Sequence, residues 1–194
     1  MILATLGSAA NGPAYATYLP QAAQIPNTCN SIAGSASFPS PSTINFDDLG
    51  NAQAVGNHYQ ASYGLTFANE PTSRVQTYAD YDPEPTKSRS APNIIFHYPD
   101  FPNTSINVPM SFTFSSPKSH IGMYVGNGDF GDITATLIAY DSNMNELCRN
   151  ILNDVPVSPT SFLGIHDSAG RIRTLTLEFG NSPASELIDD LMFA

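Results

Sequence analysis

From about residue 43 onward the chain is broken every few residues by Gly, Pro, Asn or Asp, and no stretch between the breaks keeps the apolar spacing of an amphipathic helix. Between the breaks lie strand-length runs at 43–49, 64–68, 74–78, 93–98, 105–108, 111–114, 120–125, 132–140, 162–165 and 171–179. In the last of these Ile172, Thr174, Thr176 and Glu178 fall on one face and Arg173, Leu175, Leu177 and Phe179 on the other, the period of a strand with one face on a core. Asp141 to Glu146 supplies the Asn and Asp of a hairpin loop, and Pro109, which cannot donate to a ladder, is expected at an edge or bulge. Short strands at close spacing predict an all-β chain, a two-sheet antiparallel β-sandwich of jelly-roll type. No fixed repeat is present, which argues against a propeller or solenoid.

Residues 1–41 differ in texture. Ala, Ser, Pro and Asn dominate there and no period persists, so they are expected to form an N-terminal arm, a processing remnant or docking segment, ahead of a sandwich domain at 42–194. The first ten residues resemble the tail of a signal peptide but lack a basic start; a flexible arm or an ordered edge segment is the alternative. No run approaches the roughly 18 apolar residues of a membrane helix, so membrane insertion is not expected. With seven Lys and Arg and a formal charge of −10, the chain lacks the basic patches that nucleic acid or anionic lipid requires, whereas cations or a neutral partner such as a sugar remain compatible. Cys29 and Cys148 are the only cysteines; a bridge between them would point to an oxidising compartment, and two free or buried thiols is the other reading.

The segments 44–49, 63–67, 121–126, 136–141 and 187–193 are similar to the skeleton of secreted bacterial jelly-roll domains, and through them the chain resembles calcium-binding carbohydrate-binding modules of the galactose-binding-like type. The resemblance covers about residues 43–194. It implies first and last strands lying together with acids near them on a structural calcium, which here carries over to Asp47, Asp48, Asp189 and Asp190, with Glu70 as a spare ligand. Calcium takes six to eight oxygens, so strand-end carboxylates with backbone carbonyls would suit it. Strict alternation sets the two members of each acidic pair on opposite faces, leaving one of each to serve.

A sugar site needs aromatic rings for the apolar face of a pyranose and polar groups for its hydroxyls. The chain has no Trp. Tyr78, Tyr81 and Tyr98, in or beside a Pro-rich loop, are the candidate rings, with Asp80, Asp82 and Arg89 as polar partners. The loop around Asp129 and Phe130 is a second candidate. Catalysis finds little support: His166-Asp167-Ser168 are neighbours in sequence without a Gly-x-Ser-x-Gly elbow, and the four histidines lack metal-binding spacing. Asn103-Thr104-Ser105 matches a glycosylation triplet. The sequence therefore predicts a non-catalytic extracellular or cell-surface domain that binds polysaccharide or glycan. A structural or adhesive subunit that assembles with copies of itself through the arm is the alternative.

Overall fold

The computed structural model describes residues 28–51, 53–68, 73–79, 88–99, 109–128, 133–180 and 186–194. Its strands are β1 (Cys29–Ile32), β2 (Ser42–Ile44), β3 (Leu65–Phe67), β4 (Ser73–Ala79), β5 (Asn93–Pro99), β6 (Met110–Lys118), β7 (His120–Gly126), β8 (Ala135–Tyr140), β9 (Glu146–Leu152), β10 (Ser161–Asp167), β11 (Ile172–Glu178) and β12 (Glu186–Phe193). One helical turn, α1 (Gln60–Tyr63), and a 3-10 turn at Ser35–Ser37 complete the regular structure of these residues.

The strands form two antiparallel sheets. The larger runs β1-β10-β7-β12-β5-β4, with β2 joining β12, and the smaller runs β3-β6-β11-β8-β9. From β5 to β8 each successive strand crosses to the other sheet, and β9 to β12 cross again at every step, the winding of a jelly roll. The core lies between the sheets and is built by alternation. Phe112 and Phe114 of β6 and Leu175 and Leu177 of β11 face Ile121, Met123 and Val125 of β7, Leu163 and Ile165 of β10, and Ile188 and Leu191 of β12, all buried. Each such side chain contributes about 1.5–3 kcal/mol by leaving water, so this layer is the main source of stability.

The structure departs from the expected pattern at four places. The run at 43–49 is a strand only to Ile44; Phe46 takes a φ of 64° and Leu49 N–H donates to Phe46 carbonyl oxygen, so Asp47 and Asp48 lie in a turn and strand alternation does not govern them. The arm boundary expected at 42 falls inside the domain: β1 pairs with β10, and Phe38 is buried against Phe162 and His120. β9, hidden by its mixed polarity, follows the Asp141 hairpin and forms an edge of the smaller sheet. In β11 the register slips between Ile172 and Thr174 where β6 carries Pro117, a residue without an N–H for the ladder, and Ile172 turns into the core instead of siding with Thr174 and Thr176. Pro109 stands just ahead of β6, an interior strand, where its missing N–H costs no ladder bond. The start of the arm, residues 1–27, lies outside the described residues.

Cys29 and Cys148 form a disulfide that joins β1 at the edge of the larger sheet to β9 at the edge of the smaller one, across a sequence separation of 119. It staples the open side of the sandwich. Because it closes a long loop, its removal is expected to cost about 2–5 kcal/mol. Urea unfolding of the Cys29→Ser/Cys148→Ser protein should show the lowered midpoint, and an unchanged midpoint would rule out a stabilising role for the bridge.

Candidate functional site

The outer face of the larger sheet, around β12, gathers more of the predicted residues than any other described part of the molecule. β12 is flanked along one side by β7, and on the other by β5 at 186–188 and β2 at 191–193. Between those two partners, Asp189 and Asp190 have no ladder neighbour on that flank. The segment leading into β5 enters there: Arg89 N–H, Ser90 N–H and Ser90 Oγ donate to the Asp189 carboxylate at 2.7, 2.9 and 2.9 Å, and Asp190 N–H adds a fourth bond at 2.7 Å. A register shift between Asp189 and Met192, with φ of 46° at Asp190, breaks the expected alternation, so both acids reach the same residue. Asp190 accepts from Arg89 Nε at 3.0 Å.

Arg89 is thereby laid over the face of Tyr124, its guanidinium carbon 3.6 Å from the ring centroid, and its side chain keeps 41% of its exposure. Tyr124 is in register with Asp189, and its hydroxyl is 3.0 Å from Ser35 Oγ. Rings continue along the same face: Tyr124 packs on Phe162 at 5.3 Å, Phe162 on Phe38 at 5.9 Å and Phe38 on His120 at 5.6 Å, and His120 stacks on His166 at 4.0 Å. Gly122 and Gly164 leave the bed in which Phe162 lies; a Cβ at either position would collide with its ring. At the histidine end an open pocket of about 210 Å³ is lined by Ser31, Ile32, Ala33, Ser37, His120 and His166. Small-molecule pockets begin near ~300 Å³, so this one has room only for a single small group.

Burial pushes the Asp189 carboxyl up to about 6 against the pull of its four donors, and burial with His166 alongside lowers the His120 imidazole below its usual value. His120 Nδ1 lies 2.8 Å from Ser119 Oγ.

The other predicted residues have different positions. Asp47 accepts from Asn93 N–H at 3.1 Å, so the turn after β2 also holds the segment entering β5. Asp48 accepts from Tyr59 OH at 2.6 Å and lies 3.1 Å from His58 Nε2; burial raises its carboxyl, but these bonds outweigh it and leave the group below its usual value. The four acids implied as calcium ligands accept from N–H and O–H donors of their own chain. Among the described residues no three His, Cys, Asp or Glu side chains are grouped to hold a metal ion. Tyr78 pairs with Ile94 and Tyr98 with Arg74, four residues apart along the β4–β5 ladder, roughly 13 Å. Asp80, Tyr81, Asp82, Asp129, Phe130, Glu70 and the Asn103 triplet lie outside the described residues.

The His166-Asp167-Ser168 triplet forms no relay. Buried Asp167 accepts from Arg171 Nε at 2.9 Å, from Arg171 Nη2 at 3.0 Å and from Thr28 Oγ1, and Arg171 N–H adds another bond. Burial opposes its charge, yet these donors hold its carboxyl well below the usual range. Sequence reasoning missed Tyr124, Ser35, Phe38 and the histidine pair; the alternation His120, Gly122, Tyr124 along β7 was the available signal.

Fold and site together define a jelly-roll β-sandwich with a polar and aromatic strip on one outer face. No protein-family model matches the sequence, and no curated protein matches it. Among solved structures the chain is similar to the K2 cleaved adhesin domain of Lys-gingipain, with a TM-score of 0.51 and 11% identity over 80% of this chain and 99% of that domain. It is also similar to the CBM22-1 xylan-binding domain from Paenibacillus barcinonensis Xyn10C, with a TM-score of 0.41 and 14% identity over 66% of this chain and 83% of that one. A third is TmCBM61, solved with beta-1,4-galactotriose, with a TM-score of 0.32 and 11% identity over 74% of this chain and 99% of that one. At such identities the likeness is one of fold.

The buried carboxylate has a measurable signature. Its pKa of about 6 exceeds the ordinary 3.8, so between those values the folded chain holds a proton that the unfolded chain has released. Stability contributed by this group is therefore present below pH ~4 and lost as pH rises through ~6, a span of about 3 kcal/mol. Asp167 has the opposite sign: its stabilisation is present above the ordinary carboxyl pKa and disappears as pH falls. Denaturant unfolding from pH 4 to 7 should show a decline in the wild type that Asp189→Asn flattens; parallel curves would contradict this assignment.

Proposed function

We propose that this chain is a non-catalytic binding domain that works outside the cell and takes a glycan or polysaccharide on the outer face of the larger sheet. The observation that carries the reading is the strip from Arg89 on Tyr124 to the pocket beside His120 and His166. A planar guanidinium fixed on an aromatic ring offers a flat surface edged with donors, while Ser35, Ser37 and the imidazoles supply further polar groups for hydroxyls. Shallow, preformed and lined by few polar groups, the strip suits an extended sugar chain better than a buried small molecule.

Three further facts support the reading. A disulfide closing the sandwich suits an oxidising compartment. The carboxylates nearest the strip are engaged in holding the Arg89 segment, which favours a positioning role over acid–base chemistry. The fold is also that of a domain described as an adhesin, a use in keeping with surface binding. A structural calcium, implied by the resemblance at Asp47, Asp48, Asp189 and Asp190, would share these carboxylates with the N–H and O–H donors they already accept from.

A glycan and polysaccharide screen on the purified protein, followed by titration calorimetry, tests this. Saturable binding to at least one polysaccharide is expected, weakened about tenfold or more by Arg89→Ala and by His166→Ala, each with an unchanged unfolding midpoint. Absence of binding across a broad panel, or affinity indifferent to both substitutions, would refute the site.

A further inference from the structure

We infer that the ligand carries isolated carboxylates, as in a neutral glycan bearing single uronate groups, and that Arg89 receives one of them through its two terminal nitrogens; this rests on the glycan reading above.

Four arginines have described side chains, Arg89, Arg149, Arg171 and Arg173. Arg149 gives Nε and Nη2 to Glu146, Arg171 gives Nε and Nη2 to Asp167, and Arg173 gives Nη1 to the Ser115 carbonyl oxygen. Arg89 differs. Its side chain donates only through Nε, to Asp190, and no described group accepts from Nη1 or Nη2. Yet its position is the most constrained of the four. Its own N–H and that of Ser90 are bound to a fully buried carboxylate, its Nε is fixed by Asp190, and its plane rests on Tyr124, which Phe162 and Ser35 hold from the other sides. A guanidinium fixed in plane with its end-on pair of N–H donors unclaimed matches the two oxygens of a carboxylate, a charge-assisted bidentate contact. Preorganisation reduces the entropy lost on binding.

Charge narrows the class further. A chain of formal charge −10 repels a densely charged polyanion. At physiological salt the Debye length is about 8 Å, so a contact pair with one carboxylate survives where attraction to a whole polyuronate does not. The ligand is therefore a mostly neutral glycan whose acidic groups stand apart, its neutral part lying past the half-buried Phe162 ring toward the His120 pocket.

The test compares matched ligands by titration calorimetry on the full chain: xylo-oligosaccharides carrying one glucuronate and galacto-oligosaccharides carrying one galacturonate, each beside its carboxyl-reduced form, with polygalacturonate and a sulfated galactan as controls. The expected result is binding at least about tenfold tighter to one uronate form than to its reduced partner. Arg89→Gln should abolish that preference, and Arg89→Lys, which keeps the charge without the fork, should restore only part of it. Equal affinity for both members of every pair, a preference that survives Arg89→Gln, or tighter binding of either control overturns the inference; binding of neutral forms in those cases leaves the glycan reading standing. Failure of every sugar to bind overturns both. The paired ligands decide the matter on wild-type protein even if a variant folds poorly.

Discussion

The ladder around β12 is the constraint from which the rest of the larger sheet follows. β12 has β7 on one side and two successive partners, β5 and β2, on the other, so three strands from distant parts of the chain are aligned by one eight-residue segment. Where the two partners leave a gap, backbone polar groups would be left without a ladder, and a buried unpaired group costs about as much as a lost hydrogen bond. The bulge at Asp189 and Asp190 resolves this by placing side-chain acceptors in the gap. The N–H groups of the segment entering β5 bond to those acceptors, and the same arrangement sets Arg89 on Tyr124. Thus a defect in strand pairing determines where the outer face carries its cation.

Much of the fold was legible because strand-length runs between turn residues survive in both sheets. β3, β4, β5, β7, β10 and β11 fall close to the runs read from the sequence. β9 escaped because an edge strand with one half-wet face has little apolar alternation: Glu146, Arg149 and Asn150 interrupt it. β1 escaped for a similar reason, since Cys-Asn-Ser-Ile is too short and polar to stand out until β10 pairs with it. The four acids were singled out as calcium ligands through the resemblance. Their partners were illegible, because the donors for Asp189 come from residues about a hundred positions away. Arg89 was likewise chosen for its polarity beside tyrosines, but the ring it meets is Tyr124 of β7, a contact that only the winding of the sheets creates.

A carboxylate of the last strand that the family resemblance implies as a cation ligand accepts here from the chain's own loop. A cation and a peptide N–H are alternative ways to neutralise the same buried oxygens, and this chain supplies the N–H groups from its own loop. That arrangement ties the geometry of the loop to the sheet directly.

The arrangement of the larger sheet also sets an order of assembly. Its edge strand β1 is made early, while β12, the strand that bonds β7 to β5 and β2, is made late. Until residues 186–193 have been synthesised, β5 and β7 have no template between them, and their apolar inner faces have nothing to complete the sheet around. The larger sheet accordingly stays open until residues 186–193 join it, and its contacts, dominated by long-range pairings, form slowly.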